Sequence, residues 1–427
     1  MEYKNKNVAV LGFGIEGRDA VDYLIQQGAS VTVFDKQEIK EDLNGVRFVT
    51  GENYLEKGIS DFDIIVRSPG FYRFSKEIVD AEKKGVLVTS PIKIFFDKCP
   101  AKIIGVTGTK GKGTTTTLIK EILEKDNRKT FLVGNIGKPY LEILSKLDEE
   151  SFVIMEMSSF QLFDLTVGPY ISVVLNITSD HLDWHKNIDE YIDAKKNIVL
   201  HQTKENFAVI NEEYEVPKSF AKLTKANVVF FSKEKLEDKF KRQLLLRGEH
   251  NLENIAAAVA VAKILNIEDK IIGEVVSNFR GLEHRLELVD TVSNISFYND
   301  SFATGPQPTI AALKSFNEEE TLILGGSDKG LNYDELGEEI AKRDNIKNVI
   351  LIGDMGERIK NSLIKANYKN KIFELGKSSM EDIVKKSYEV TPSGGVVVLS
   401  PAAASFDMFM NYKDRGNQFK NSVRKLK

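Results

Sequence analysis

Short apolar runs recur along the chain, and between them apolar residues return with helical spacing. The first runs are Val8 to Leu11, Ser30 to Phe34 and Asp63 to Val66. Gly12, Gly14 and Gly17 open a helical pattern that reaches Gln27. Continuous runs, rather than strict alternation, mark strands covered on both faces. Their exchange with helices predicts a parallel, doubly wound sheet over residues 1 to about 95. A second unit is expected over about 96–285. Ile103 and Ile104 lead into it, and Phe152 to Met155, Ser172 to Asn176 and Phe207 to Ile210 are its further strands. The alanine-rich stretch His250 to Leu265 reads as its strongest helix. A third unit, 286–427, carries strands at Ser296 to Tyr298, Thr321 to Leu324, Asn348 to Ile352 and Gly395 to Leu399. The pattern thus predicts an α/β protein of three domains, with no internal repeat, low-complexity tract or long linker. The first and third domains read as Rossmann-like and the middle one as a mainly parallel sheet.

Two glycine-rich turns change this picture from architecture to chemistry. The run IIGVTGTKGKGTTTTL, Ile103 to Leu118, passes from strand to loop to helix. Gly105, Gly108, Gly111 and Gly113 let backbone N–H groups close around phosphate oxygens, and Lys112 reaches the terminal phosphates. The following helix turns its positive end to the anion. Gly113 sits where a hydroxyl residue normally follows the lysine, so the Mg²⁺ hydroxyl falls to Thr114 or Thr115. A nucleoside triphosphate is the expected ligand. Gly12-Phe13-Gly14-Ile15-Glu16-Gly17 is a GxGxxG between strand and helix, with Asp35 ending the next strand. Alone this is a dinucleotide fingerprint. Beside a separate triphosphate loop, a nucleotide-sugar diphosphate fits better, with Ser68-Pro69-Gly70 bordering the same crevice.

Composition adds bounds. Of 427 residues, 42% are hydrophobic and 29% charged, and the net charge is −4. This is an ordinary globular composition with no pull toward nucleic acid or a membrane surface. Cys99 is the only cysteine. No internal disulfide can form, which fits a reducing cytoplasm, and Cys99 reads as structural. The start MEYKNKNVAVLG has no signal-peptide core, and no apolar run approaches membrane-spanning length. A cytoplasmic protein without membrane insertion is expected.

Glu156 ends a buried strand in IMEMSSFQL, where a carboxylate can hold Mg²⁺ beside a phosphate loop or simply meet solvent. His181, in NITSDHLD, is a possible metal ligand or a capping residue. His185 and His201 read as structural or exposed.

Taken together, the motifs resemble those of the Mur ligases, ATP-dependent amide-forming enzymes of peptidoglycan precursor synthesis. The resemblance spans the chain. It rests on GVTGTKGKGTTTT, MEMSSFQL, NITSDHLDWH with YIDAK, GEHNLENIAAA, GLEHRLE, YNDSFAT, LGGSDKG and LSPAAASFD with RGNQF. Within the family it is most similar to members that add D-glutamate to UDP-N-acetylmuramoyl-L-alanine.

The resemblance implies a UDP-substrate domain (1–95), an ATP-binding domain (96–285) and an amino-acid-binding domain (286–427), acting as a monomer. It implies ATP contacts at Gly108, Thr109, Lys110, Gly111, Lys112, Gly113, Thr114, Thr115 and Asn254, and at His284, Arg285 and Asp300. Two Mg²⁺ ions would be held by Thr114, Glu156, His181 and Lys195, the last as a CO₂-derived carbamate. Lys112, Glu156, His181 and Lys195 would be the catalytic set. Ile15, Glu16, Asp35, Lys36, Ser68 and Gly70 would surround the uridine diphosphate. Asn135, Ser158 and Gln161 would meet the muramoyl substrate, and Thr304, Lys329, Ser405 and Tyr412 the glutamate. The implied chemistry is activation of a carboxylate as an acyl phosphate, attack by the amino acid, and release of ADP and phosphate.

Some positions depart from the family pattern. Phe302 and Gly305 replace the lysine and last asparagine of N-D-S-K-A-T-N, Met410 lies where lysine is common, and Tyr412 stands for the more frequent phenylalanine. Four alternatives remain at this point: a Mur-type ligase for L-glutamate or another amino acid, a folylpolyglutamate synthase-like ligase, an NAD-binding oxidoreductase suggested by the GxGxxG with Asp35, and a non-catalytic nucleotide-binding partner. The folylpolyglutamate family starts close to its phosphate loop, which the long segment before Gly105 does not match.

Overall fold

The structure, a computed structural model, describes residues 2–56, 58–134, 139–242 and 244–427. It divides into two compact units, Met1–Leu236 with Glu253–Val275, and Glu237–Leu252 with Val276–Lys427. Unit one holds two parallel sheets. The first contains β1 (Asn7–Leu11), β2 (Ser30–Asp35), β3 (Val46–Thr50), β4 (Ile64–Arg67) and β5 (Leu87–Thr89), in the order β3-β2-β1-β4-β5. The second contains β6 (Lys102–Thr107), β7 (Thr130–Gly134), β8 (Phe152–Glu156), β9 (Ile171–Val174), β10 (Phe207–Asn211) and β11 (Asn227–Phe231), in the order β11-β10-β9-β6-β8-β7.

Unit two holds β12 (Glu287–Val292), β13 (Ile295–Asn299), β14 (Glu320–Gly325), β15 (Ile346–Ile352), β16 (Lys371–Gly376) and β17 (Val396–Leu399), in the order β12-β13-β17-β14-β15-β16. Only the pairing of β12 with β13 is antiparallel, among the described residues. The fold is the α/β class that the apolar runs predict, with one antiparallel edge added.

Burial explains the continuous runs. In β14 and β17, Leu322, Leu324, Val396 and Val398 pack into one core while Ile323, Val397 and Leu399 pack into another on the opposite face. β1 divides likewise, Val8 and Val10 on one side and Ala9 and Leu11 on the other. Each fully buried aliphatic side chain contributes roughly 1.5–3 kcal/mol, so both faces of these strands must be covered.

The topology fixes where ligands can sit. In each sheet of unit one a strand is flanked by neighbours whose connections leave in opposite directions: β1 between β2 and β4, β6 between β8 and β9. A crevice opens beyond the carboxyl ends of such strands. The GxGxxG turn follows β1 and the phosphate-loop motif follows β6. The loops after β13, β14 and β17 share one end of the third sheet. No helix of the described residues is long and apolar enough to cross a membrane.

Glu320 begins β14 at the other end of that sheet. It is 1% exposed, and neither carboxylate oxygen has a hydrogen-bond partner. Burial pushes its carboxyl up to about 8, against the opposing charge of Arg343. At low pH both folded and unfolded chains hold the proton, and Glu320 contributes nothing. Between the ordinary carboxylate range and about 8 the unfolded chain releases it while the folded chain keeps it, so stability falls as pH rises. Glu320→Gln is expected to flatten this slope and to stabilise unit two by roughly 2–3 kcal/mol at pH 8. Urea unfolding at pH 6 and pH 8 measures the difference.

Candidate active site

The turn after β1 and the turn after β4 enclose a cleft of about 400 Å³ in unit one. Ile15, Glu16, Asp35, Lys36, Ser68 and Gly70, all named from the sequence, line it together. Gly12 has φ +87°, and a Cβ on Gly17 would lie 2.0 Å from Gly12 O, so the strand–helix approach admits only glycine there. Asp35 accepts from Phe13 N (2.7 Å) and Gln37 N (2.8 Å), bracing the turn with its carboxylate. Ser68 Oγ donates to Gly12 O at 2.9 Å and joins the two walls. Ile15 is 76% exposed, an apolar face at the mouth.

Glu16 turns inward. Tyr140 OH and Gln161 Nε2 donate to its two oxygens, the latter at 2.6 Å. Burial pushes its carboxyl up to about 7 against those hydrogen bonds. Gln161 also closes a capping box with Ser158 at the start of the helix Ser159–Leu162. Glu16, Ser158 and Gln161 therefore form one network behind the cleft. Asn135 lies outside the described residues.

Beyond β6, Thr107 runs into the phosphate-loop motif. Gly108 has φ +156° and Gly111 φ +88°, the latter capping the helix Lys112–Lys125. Lys112 Nζ donates to Gly108 O (3.0 Å) and Thr109 O (3.1 Å). Thr115 Oγ1 donates to Asn254 Oδ1 at 3.3 Å, and Thr116 Oγ1 turns back to its own helix, whereas Thr114 is half-buried. Lys110 is exposed and faces Asp180 at 3.7 Å. Gly113 is buried in the first helical turn.

Three further groups converge on this loop. The register of β6 with β8 sets Glu156 beside Val106, at the carboxyl end of the sheet and 7% exposed. Lys195 is 1% exposed, and its Nζ donates to Gly108 O (3.0 Å) and Thr107 Oγ1 (3.3 Å). Burial, and then the charge of Lys112, hold its ammonium well below the usual lysine range, against the pull of Asp180 and Glu156. Lys195 is thus a buried amine whose charged form is disfavoured. His181 is exposed, has φ +54°, and stacks edge-on against Phe160 at 4.9 Å. No group of three or more His, Cys, Asp or Glu side chains is gathered as a metal site among the described residues. Glu156, the Thr114 hydroxyl and His181 are sparse donors. Such a set fits a hard cation that keeps water and phosphate oxygens as its other ligands.

In unit two the carboxyl ends of β13, β14 and β17 carry the remaining candidates. Asp300 accepts from Leu286 N (3.2 Å) and Ser400 Oγ (2.7 Å), and burial pushes it up to about 7. His284, 3% exposed, pairs its Nδ1 with Asn299 Nδ2 at 2.9 Å, and burial lowers its imidazole. The Arg285 guanidinium lies 4.1 Å over the Phe302 ring, which meets Tyr412 edge-on at 5.0 Å. A cation therefore stands at Phe302, where the family pattern carries its lysine. Thr304 is half-buried, Lys329 is exposed on the loop after β14, and Ser405 is 2% exposed after β17. Phe406, 72% exposed, follows it.

Comparison with known proteins settles the family. Residues 6–90 match the Mur ligase MurD-like N-terminal domain, 106–262 the Mur ligase middle domain, and 284–403 the Mur ligase glutamate ligase domain. The UDP-N-acetylmuramoylalanine–D-glutamate ligase of Acetivibrio thermocellus is 40% identical, covering 99% of this chain and 97% of its own length. That of Ruminiclostridium cellulolyticum is 38% identical, at 100% and 98%. The chain belongs to the Mur ligase family.

Solved structures share the fold. MurF of Acinetobacter baumannii superposes with a TM-score of 0.58 at 14% identity, covering 99% of this chain and 92% of that one. MurC of Thermotoga maritima superposes at 0.56 and 18% identity, covering 99% and 100%. The Mur ligase matches account for all three sheets, which an oxidoreductase reading of the GxGxxG leaves unexplained.

Two supporting residues, Arg67 and Arg415, lie outside the candidate residues named from the sequence. Arg67, fully buried, donates to the carbonyls of Ser68, Pro69 and Phe71 and to Asp164 Oδ1 at 2.9 Å. It shapes the turn lining the cleft. Its partner lies far along the chain, so only the terminal position in an apolar strand hinted at it. Arg415, in RGNQF, donates to Ser301 O and to the carbonyls of Ala403 and Ala404, setting the loop that holds Ser405. An alanine at Gly111 combines a left-handed backbone with a Cβ 2.2 Å from Asn254 Oδ1. Gly111→Ala is expected to cost roughly 1–3 kcal/mol in urea unfolding of unit one.

Proposed function

We propose that this chain joins D-glutamate to UDP-N-acetylmuramoyl-L-alanine, converting ATP to ADP and phosphate, in peptidoglycan precursor synthesis. One observation carries the reading: relatives named for that reaction match at 38–40% identity over nearly the whole chain. The domain limits we propose are 1–95 for the uridine-nucleotide substrate, 96–285 for ATP and 286–427 for the amino acid. The enzyme acts as a monomer in the cytoplasm. The lone cysteine fits a reducing compartment, and one chain carries all the proposed sites.

The chemistry follows from the residues. A carboxylate is a poor electrophile, and phosphorylation gives it a good leaving group. Lys112, at the start of a helix whose N–H groups face the phosphates, neutralises charge that develops as the γ-phosphoryl group moves to the alanyl carboxylate. Mg²⁺, when bound at Thr114, Glu156, His181 and Lys195, supplies Lewis-acid stabilisation of that transferring group. The neutral Lys195 amine is the form that adds CO₂, losing a proton to become an anionic carbamate. This turns a cation that would repel Mg²⁺ into a carboxylate-like group. Asn254, His284, Arg285 and Asp300 are assigned to the nucleotide. Thr304, Lys329, Ser405 and Tyr412 are assigned to glutamate, with Lys329 offsetting carboxylate charge. The amine attacks the acyl phosphate, and the tetrahedral intermediate collapses to amide and phosphate.

Phosphate release should require ATP, UDP-N-acetylmuramoyl-L-alanine and D-glutamate together. Release with L-glutamate instead would keep the mechanism and reassign the amino-acid pocket. Lys112→Ala should lower kcat/KM by roughly 100-fold or more with circular dichroism unchanged; undiminished turnover rejects the assignment. Lys195→Ala should lose activity on a similar scale, with partial recovery in formate or acetate. Full activity without either additive overturns the carbamate role.

A further inference from the structure

The turn after β4 lines the cleft through Phe71, and the next residue, Tyr72, turns away from it. The Tyr72 hydroxyl donates to Glu190 Oε1 at 2.8 Å. Glu190 lies in the first turn of the helix Ile188–Leu200, which Asn187 caps. Its second oxygen accepts from Lys186 N at 2.9 Å. A parallel brace runs from Trp184 Nε1 to Gly70 O at 3.1 Å.

The same helix grips the phosphate loop. Tyr191, adjacent to Glu190, places its hydroxyl 2.9 Å from Thr109 Oγ1, and Lys195, just over a turn further on, donates to Gly108 O at 3.0 Å. A helix is stiff along its axis, and these residues span only about 7.5 Å of rise. A displacement of its first turn therefore reaches both loop contacts.

We propose that the Tyr72–Glu190 hydrogen bond is a positioning contact that couples occupancy of the nucleotide-sugar cleft to the phosphate loop. The proposal rests on the ligase reading, which places a uridine nucleotide at one end and ATP at the other. Ligand packed against the turn after β4 fixes Tyr72. Tyr72 holds Glu190, and the helix then holds Thr109 and Gly108 in the phosphate-binding arrangement. Tyr72 also packs against Phe163 (5.6 Å) and Trp184 (5.3 Å). Tyr72→Phe therefore keeps the ring contacts and removes only the latch.

The test is calorimetric. A non-hydrolysable ATP analogue is titrated into the full chain with and without saturating UDP-N-acetylmuramoyl-L-alanine, and then in the reverse order. In the unaltered protein each ligand should tighten the other by the same factor, about tenfold. In Tyr72→Phe each ligand alone should bind within about twofold of the unaltered protein, while the coupling falls below about twofold. Glu190→Ala should lose the same coupling, and the double variant should lose no more. Melting temperatures recorded in parallel separate this from a stabilising role, which lowers the midpoint and leaves coupling intact. Full coupling in Tyr72→Phe, or two ligands that bind the unaltered protein independently, overturns the proposal. An unaltered protein that binds neither ligand overturns the ligase reading instead.

Discussion

The Thr109 hydroxyl is the fastening on which unit one's chemistry depends. It donates to Thr178 O at 3.0 Å, accepts from Thr178 N at 2.9 Å and meets the Tyr191 hydroxyl at 2.9 Å. Three chain segments end there: the loop after β6, the segment after β9 that leads to His181, and the helix carrying Lys195. A small, buried hydroxyl suits the place, because it can donate and accept at once where a backbone group can do only one. With Thr109 held, Gly108 O is fixed as the acceptor for both Lys112 and Lys195, and Lys112 is brought close enough for its charge to disfavour the Lys195 ammonium.

That proximity gives the site its character. Burial is the larger reason that the Lys195 ammonium is held well below the usual lysine range, and the charge of Lys112 at the same carbonyl adds to it. Glu156 and Asp180 pull in the other direction without reversing it. Unit two uses the same means with the sign inverted. Burial holds Asp300 in its protonated form to about 7 while Ser400 and Leu286 N orient it. In both units, ionisable groups are kept near their neutral state by exclusion of water, at the carboxyl ends of parallel strands.

The chain's interior strands are legible in its sequence and its rims are not. Runs such as Val8 to Leu11, Phe152 to Met155 and Asn348 to Ile352 are covered on both faces and read as unbroken apolar segments. β3, β5, β7, β11, β12 and β16, which the apolar pattern did not mark, are the outermost strands of the three sheets. Lys371 to Gly376 has no buried residue and mixes Phe373 with Glu374, and Val46 to Thr50 likewise has no buried residue. One uncovered edge removes the pressure for a continuous run. The site divides similarly. Turns that bind through backbone geometry announce themselves by glycine spacing, so Gly12 to Gly17 and Gly108 to Gly113 stand out. The inward turn of Glu16 onto Tyr140 and Gln161 depends on partners far along the chain. So does the pairing of Arg67 with Asp164, and neither has a local signature.

Glu320 shows what the polarity of a parallel strand permits. β14 runs from that buried, unpartnered carboxyl to Gly325, next to the loop bearing Lys329. One end of the strand leads to a residue proposed for the amino-acid pocket, and the other meets only core. Sequence drift at the amino end can therefore retune the pH and temperature at which the domain survives without altering what it recognises. Selection on habitat and selection on substrate act on opposite ends of one strand, and a lineage can answer either without conceding the other.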